Sequence, residues 1–187
     1  MPDDAAGALP DAPLDPTTPL AASFVARGAR TFRDAARLVH ALPYGRVGGW
    51  RDVLPAGRGT CSTKHALLAA LAAEVGLPVT LVVGLYAMDG VNTPGVGPVL
   101  AAAGLASVPE MHGVLAAGDA RVDLTWPGRH APPPALTDER ALEPDDIAQK
   151  AALHRRAVGA WALARGLDGD AVWAVREACI AALGGGS

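Results

Sequence analysis

The stretch from residue 57 to residue 85 constrains the fold most. It runs from a glycine-rich approach (Gly57, Gly59) through a cysteine and an Ala/Leu-rich run to a Gly76-Leu77-Pro78 stop and an unbroken apolar segment. Glycine permits backbone turns closed to other residues. Residues 63–75 predict a short helix that Gly76 and Pro78 close. Residues 79–85, apolar and rich in β-branched side chains, predict a buried strand.

Upstream, residues 21–42 read as one helix, with Val25, Ala29, Phe32, Ala36 and Val39 on one stripe and Arg30, Arg33, Asp34 and Arg37 on a solvated face. Pro43 ends it, and a loop follows through Gly45, Gly48, Gly49 and Pro55, with Trp50 in its middle. Residues 1–19 are rich in Pro, Asp and Ala without a period and predict an irregular N-terminal arm. Residues 20–187 are expected to form a single domain, a length that suits one core. Downstream, 88–97 reads as a loop, and 112–116 and 121–125 as two strands around Gly118-Asp119. The five prolines of 126–144 predict irregular surface. Residues 145–165 and 169–183 predict two helices. The fold class is therefore α+β: helices on one face of a small antiparallel sheet, with extra C-terminal helices. Half of the chain is apolar but only 4% is aromatic, so alanine, leucine and valine build the core.

A formal charge of −3 is too small to steer the chain toward nucleic acid or an anionic membrane. No apolar stretch approaches the roughly 20 residues that span a bilayer. Met1-Pro2-Asp3-Asp4 has neither the basic region nor the apolar run of a secretory signal, which points to a cytoplasmic protein. Nothing in the sequence sets the oligomeric state.

Two cysteines occur in different surroundings. Cys179 lies on a helical stripe with Val172, Val175 and Leu183 and reads as a small buried hydrophobe. Cys61 stands where the predicted helix begins. A thiol there meets the positive end of the helix dipole and unpaired backbone N–H groups, which stabilise the thiolate. The same N–H groups can hold the oxyanion of an attacked carbonyl.

The hairpin adds a histidine and an aspartate. With Gly118-Asp119 as a two-residue turn, Ala117 faces Ala120, His112 faces Thr125 and Val114 faces Asp123. His112 and Asp123 then project from one face as diagonal neighbours, their backbones about 7–8 Å apart across the two strands. A register one residue different would separate them. Cys61, His112 and Asp123 together supply nucleophile, base and orienting carboxylate.

The order Cys, His, Asp, with the cysteine on a helix and the other two on successive strands, resembles the transglutaminase-like superfamily. Its motifs are similar at Gly59-Thr60-Cys61, Gly76-Leu77-Pro78-Val79, Val83-Gly84 and Val122-Asp123-Leu124-Thr125, over roughly residues 50–126. The resemblance implies a papain-like fold and an acyl-enzyme thioester on Cys61. The acyl group would come from a peptide, amide or other acyl donor and pass to water or an amine. Hydrolysis of a peptide or amide bond, as in a cysteine protease, is the favoured outcome, with amide formation by an acyltransferase or transglutaminase as the alternative. The reaction needs no cofactor. Val114 stands where the family often has an aromatic residue, and Val79 and Thr80 where an arginine is common.

Other residues leave alternatives open. Trp50, eleven residues before Cys61, offers an indole N–H to an oxyanion or packs beneath the glycine-rich loop. Ser62 and Asn92 are further candidates for the oxyanion and substrate cleft, the second on a loop that forms a rim or lid. Cys61 and His65, four residues apart, have the spacing of two metal ligands, although no CxxC or HExxH pattern supports metal. A non-catalytic binding module is the remaining alternative. Lys64 reads as a solvent-facing helix residue, and His40, His130 and His154 as residues of helix faces or loops.

Overall fold

The structure, a computed structural model, describes residues 5–128 and 133–184. The first four residues of the expected arm and His130 lie outside the described residues. Among the described residues the elements are those of an α+β protein, seven α-helices and a four-stranded antiparallel sheet.

By contacts the chain divides into two compact units. One comprises Met1–Val83, Gly113–Pro133 and Arg140–Ile147; the other comprises Gly84–His112, Pro134–Glu139 and Ala148–Ser187.

In the first unit, α1 (Pro19–Val25) and α2 (Phe32–Ala41) replace the single expected helix. Gly28 takes a left-handed φ of 91°, closing α1. Thr31 then restarts the helix through a reciprocal cap, with Asp34 N–H donating to Thr31 Oγ1 (3.3 Å) and Thr31 N–H to the Asp34 carboxylate (3.1 Å). Asp34 is thus a cap and not merely part of a solvated face. A turn at Trp50–Asp52 leads into the short α3 (Val53–Ala56), and α4 (Cys61–Glu74) follows. Glu74, at the far end of α4, accepts from Thr18 Oγ1 and from the backbone N–H groups of Leu20 and Ala21, satisfying the start of α1. The described part of the arm packs inward: Ala6, Leu9 and Leu14 are buried with Phe24, Phe32, Leu67, Leu68, Leu71 and Leu124.

The sheet contains β1 (Thr80–Met88), β2 (Val108–Ala117), β3 (Ala120–Val122) and β4 (Thr137–Leu142), in the order β3-β2-β1-β4. The β2–β3 hairpin pairs Ala117 with Ala120, Ala116 with Arg121 and Leu115 with Val122, the register set by Gly118-Asp119. The ladder stops there, short of the expected His112–Thr125 and Val114–Asp123 pairs. Asp123 instead turns back to its own chain, its Oδ1 accepting from Thr125 N–H (2.9 Å) and Thr125 Oγ1 (2.5 Å). β4 lies within the segment expected to be irregular, its residues exposed or half-buried.

The second unit contains α5 (Gly97–Ala102), absent from the sequence expectation, together with α6 (Gln149–Leu163) and α7 (Gly169–Gly184). α6 and α7 approach closely where a Cβ on Gly169 would stand 3.4 Å from the Gly159 Cα. Val108, Met111, Val158, Val172, Cys179 and Ile180 are buried here.

Candidate active site

The approach to α4 is built for close packing. Gly57 is left-handed (φ 62°). A Cβ on Gly59 would lie 2.9 Å from Lys64 Cγ and 3.2 Å from Val53 Cγ2, so a larger residue would push the loop off the helix. Thr60 caps α4, and a reciprocal pair joins it to Thr63: Thr60 N–H donates to Thr63 Oγ1 at 2.9 Å and Thr63 N–H to Thr60 Oγ1 at 3.4 Å. Cys61 is therefore the first helical residue, in the first turn where the dipole is felt. It is 7% exposed, and its Sγ lies 3.7 Å from Ser62 Oγ.

Lys64 corrects the sequence reading. It has no exposed surface, and its ammonium donates to the carbonyl oxygens of Leu42 (2.5 Å) and Thr125 (2.8 Å). Starting α4 at Cys61 turns position 64 inward, where these two carbonyls can receive the charge. Burial pulls the Lys64 pKa down to about 8, while the nearby charges of Asp123 and Cys61 act to raise it. Thiol, ammonium and carboxylate thus share one electrostatic neighbourhood.

His65 is fully buried and accepts the Leu124 N–H at Nε2 (2.8 Å). That bond requires an unprotonated Nε2, so the proton sits on Nδ1. The Asp123 Oδ1 lies 3.8 Å from the same nitrogen. His65 therefore ties α4 to the segment after β3 and keeps Asp123 beside Lys64. Among the described residues no group of three His, Cys, Asp or Glu side chains could hold a metal ion.

His112 lies on β2 and is 8% exposed, its ring edge-on to Tyr86 at 5.9 Å between centroids. The next residue, Gly113, runs against the start of α4: a Cβ there would lie 3.5 Å from Ser62 Cα and 3.8 Å from the Cys61 carbonyl carbon.

Two candidates fall elsewhere. Trp50 donates its indole N–H to Asp145 Oδ1 (2.9 Å), beneath the Arg51 guanidinium at 4.1 Å, so this donor is committed to a surface contact. Asn92 organises its own loop, donating to the Ala87 carbonyl (2.7 Å) and accepting from Asp89 N–H and Thr93 Oγ1. Cys179 is buried in α7, and burial raises its pKa.

Sequence reasoning missed a buried charge cluster in the second unit. Glu110 is 4% exposed and receives two bonds from Arg176, at 2.6 and 2.7 Å. His154 Nε2 lies 3.7 Å from Glu110 and 2.9 Å from the Pro109 carbonyl oxygen. The signal was available as a charged residue within a strand two positions before His112, an alternation that puts both on one face.

No protein-family model, no curated protein and no solved structure matches this chain.

Proposed function

We propose that this protein is a thiol enzyme of the transglutaminase-like kind, with a papain-like core, that hydrolyses a peptide or amide bond through an acyl-enzyme on Cys61. The observation that carries the reading is the position of Cys61. It is the first residue of a capped helix, sheltered from water, in one electrostatic neighbourhood with the Lys64 ammonium and the Asp123 carboxylate. Helix dipole and ammonium both favour the thiolate over the thiol.

In this mechanism the Cys61 thiolate adds to the carbonyl carbon of the acyl donor, and backbone N–H groups at the helix start receive the developing oxyanion. His112, assigned as the base by chain order and resemblance, holds the thiol proton and passes it to the leaving amine as the C–N bond breaks. Water then attacks the thioester, giving a proton to His112. Collapse releases the carboxylic acid, and the proton returns to sulfur. Asp123 orients the imidazole and stabilises its charged form. A reactive thiol suits a reducing compartment such as the cytoplasm.

Incubation with p-nitrophenyl acetate, followed by intact-mass and peptide-mapping spectrometry, tests the reading. An acetyl adduct on Cys61 that forms and decays with nitrophenol release, and is absent in Cys61→Ala, is the expected result. Acetylation confined to lysines, unchanged in Cys61→Ala, would refute it.

A further inference from the structure

Tyr86 on β1 and His112 on β2 form an aromatic pair across neighbouring strands of the sheet, both within the second unit. Their ring centroids lie 5.9 Å apart and their planes meet at 78°, one of the preferred geometries for two aromatic rings. His112 is 8% exposed, so the phenol ring belongs to the packing that sets the plane of the imidazole.

The far end of Tyr86 is held by the loop that follows β1. Asp89 Oδ1 accepts the N–H groups of Val91 and Asn92, both at 2.8 Å, and Thr93 N–H donates to the Asp89 carbonyl oxygen at 3.0 Å. These bonds orient the Asn92 amide: its Nδ2 donates to the Ala87 carbonyl oxygen and its Oδ1 accepts from Asp89 N–H. Thr93 Oγ1 donates to that Oδ1 at 2.8 Å. A hydroxyl carries one proton, so the 3.1 Å contact between Tyr86 Oη and Thr93 Oγ1 is a bond that the phenol donates. Thr93 is 6% exposed, which limits competition from water. The phenol proton is committed to Thr93, and what Tyr86 presents to His112 is its ring.

We propose that Tyr86 is a positioning residue for His112, its ring fixing the imidazole plane and its phenol fixed in turn by Thr93 and Asn92. The proposal rests on the reading of His112 as the base. It also gives Asn92 a part in the site, exerted at a remove through Thr93 and Tyr86 and not by direct contact with an oxyanion. An imidazole that swings about its side-chain bonds spends less time aimed at the thiol, and a misplacement of about 1 Å can cost about a hundredfold in rate.

The test has two readouts on the full chain. Proton–carbon NMR of the His112 Cε1–H, assigned by its loss in His112→Ala, reads the ring contact without any reference to catalysis. Iodoacetamide labelling of Cys61 at mildly acidic pH reads the consequence for the thiol. Tyr86→Leu, which removes the ring, should shift the His112 resonance and slow Cys61 at the acidic end by about tenfold. The same change made in His112→Ala should slow Cys61 no further, because a residue that acts through His112 has no effect without it. Thr93→Val, which removes the acceptor of the phenol but leaves the ring in place, should shift both readouts part of the way, and Thr93→Ser, which keeps a hydroxyl, should restore them. An unshifted His112 resonance in folded Tyr86→Leu, an undiminished effect of Tyr86→Leu in the His112→Ala background, or equal behaviour of Thr93→Val and Thr93→Ser would each overturn the proposal. An ordinary Cys61 profile in the wild type is a different result: it sinks the acyl-enzyme reading, while the His112 resonance still decides whether Tyr86 holds the imidazole.

Discussion

The ammonium of Lys64 donates to the carbonyl oxygen of Thr125 at 2.8 Å with no exposed surface of its own. One buried cation thereby joins the helix that begins at Cys61 to the chain two residues beyond Asp123. Burial puts its pKa at about 8 against an ordinary 10.5. Between those values the unfolded chain holds a proton that the folded chain has released. Stability from this group is therefore fully present above pH 10.5 and lost as pH falls through about 8. Lys64→Met removes this dependence, so the stability gap between wild type and variant should widen by on the order of 3 kcal/mol from pH 7 to pH 10.5. Urea unfolding at both pH values measures it, and a gap that does not change with pH would show that Lys64 titrates normally.

The same substitution should act on the thiol. A cation beside a thiolate favours ionisation, so Lys64→Met should move the alkylation profile of Cys61 to higher pH. The rate against pH with iodoacetamide reads this directly, and a profile superimposable on wild type would exclude electrostatic help from Lys64.

His65 is a positioning residue in this account. His65→Ala leaves the Leu124 N–H buried without its acceptor and opens a cavity. The expected loss is about 2–4 kcal/mol by denaturant unfolding. His65→Gln, which can still present an acceptor, should recover part of it.

These side chains also mark where the sequence was legible. Gly118-Asp119 specified the hairpin register because a two-residue turn leaves only one alternation of side chains, and Ala117 does face Ala120. The end of β3 was hidden because Asp123 accepts from Thr125 two residues on, a local competition that strand periodicity does not reveal. The break between α1 and α2 was written in Gly28 and in the Thr31/Asp34 cap, but an apolar stripe running through both obscured it. Lys64 escaped because a lysine in a helix ordinarily meets water, and only the fold brings the Leu42 and Thr125 carbonyls to its tip. β4 (Thr137–Leu142) lacks alternation because it carries no buried face.

The Glu110–Arg176 pair offers a test independent of catalysis. Arg176→Met strands a buried carboxylate and should cost about 3–5 kcal/mol, whereas Arg176→Met with Glu110→Gln should recover much of that. The Glu110 pKa is lowered against the opposing effect of burial by the Arg176 hydrogen bonds and charge. Its contribution to stability is therefore present above the ordinary glutamate range and lost as pH falls through the depressed value. Thermal melts from pH 7 to pH 3 should show a smaller acid-induced decline for the double variant than for wild type, and parallel declines would refute this linkage.

The most direct test of the central claim is the pH dependence of alkylation at Cys61, with Cys179 in the same molecule as an internal reference. Peptide mapping after short pulses of iodoacetamide should find Cys61 labelled rapidly down to mildly acidic pH, and Cys179, buried in α7, labelled slowly throughout. His112→Ala should slow Cys61 at the acidic end. If Cys61 instead gains reactivity only near pH 8.5, the value of an ordinary thiol, with or without His112, it is not an activated nucleophile and the acyl-enzyme reading fails.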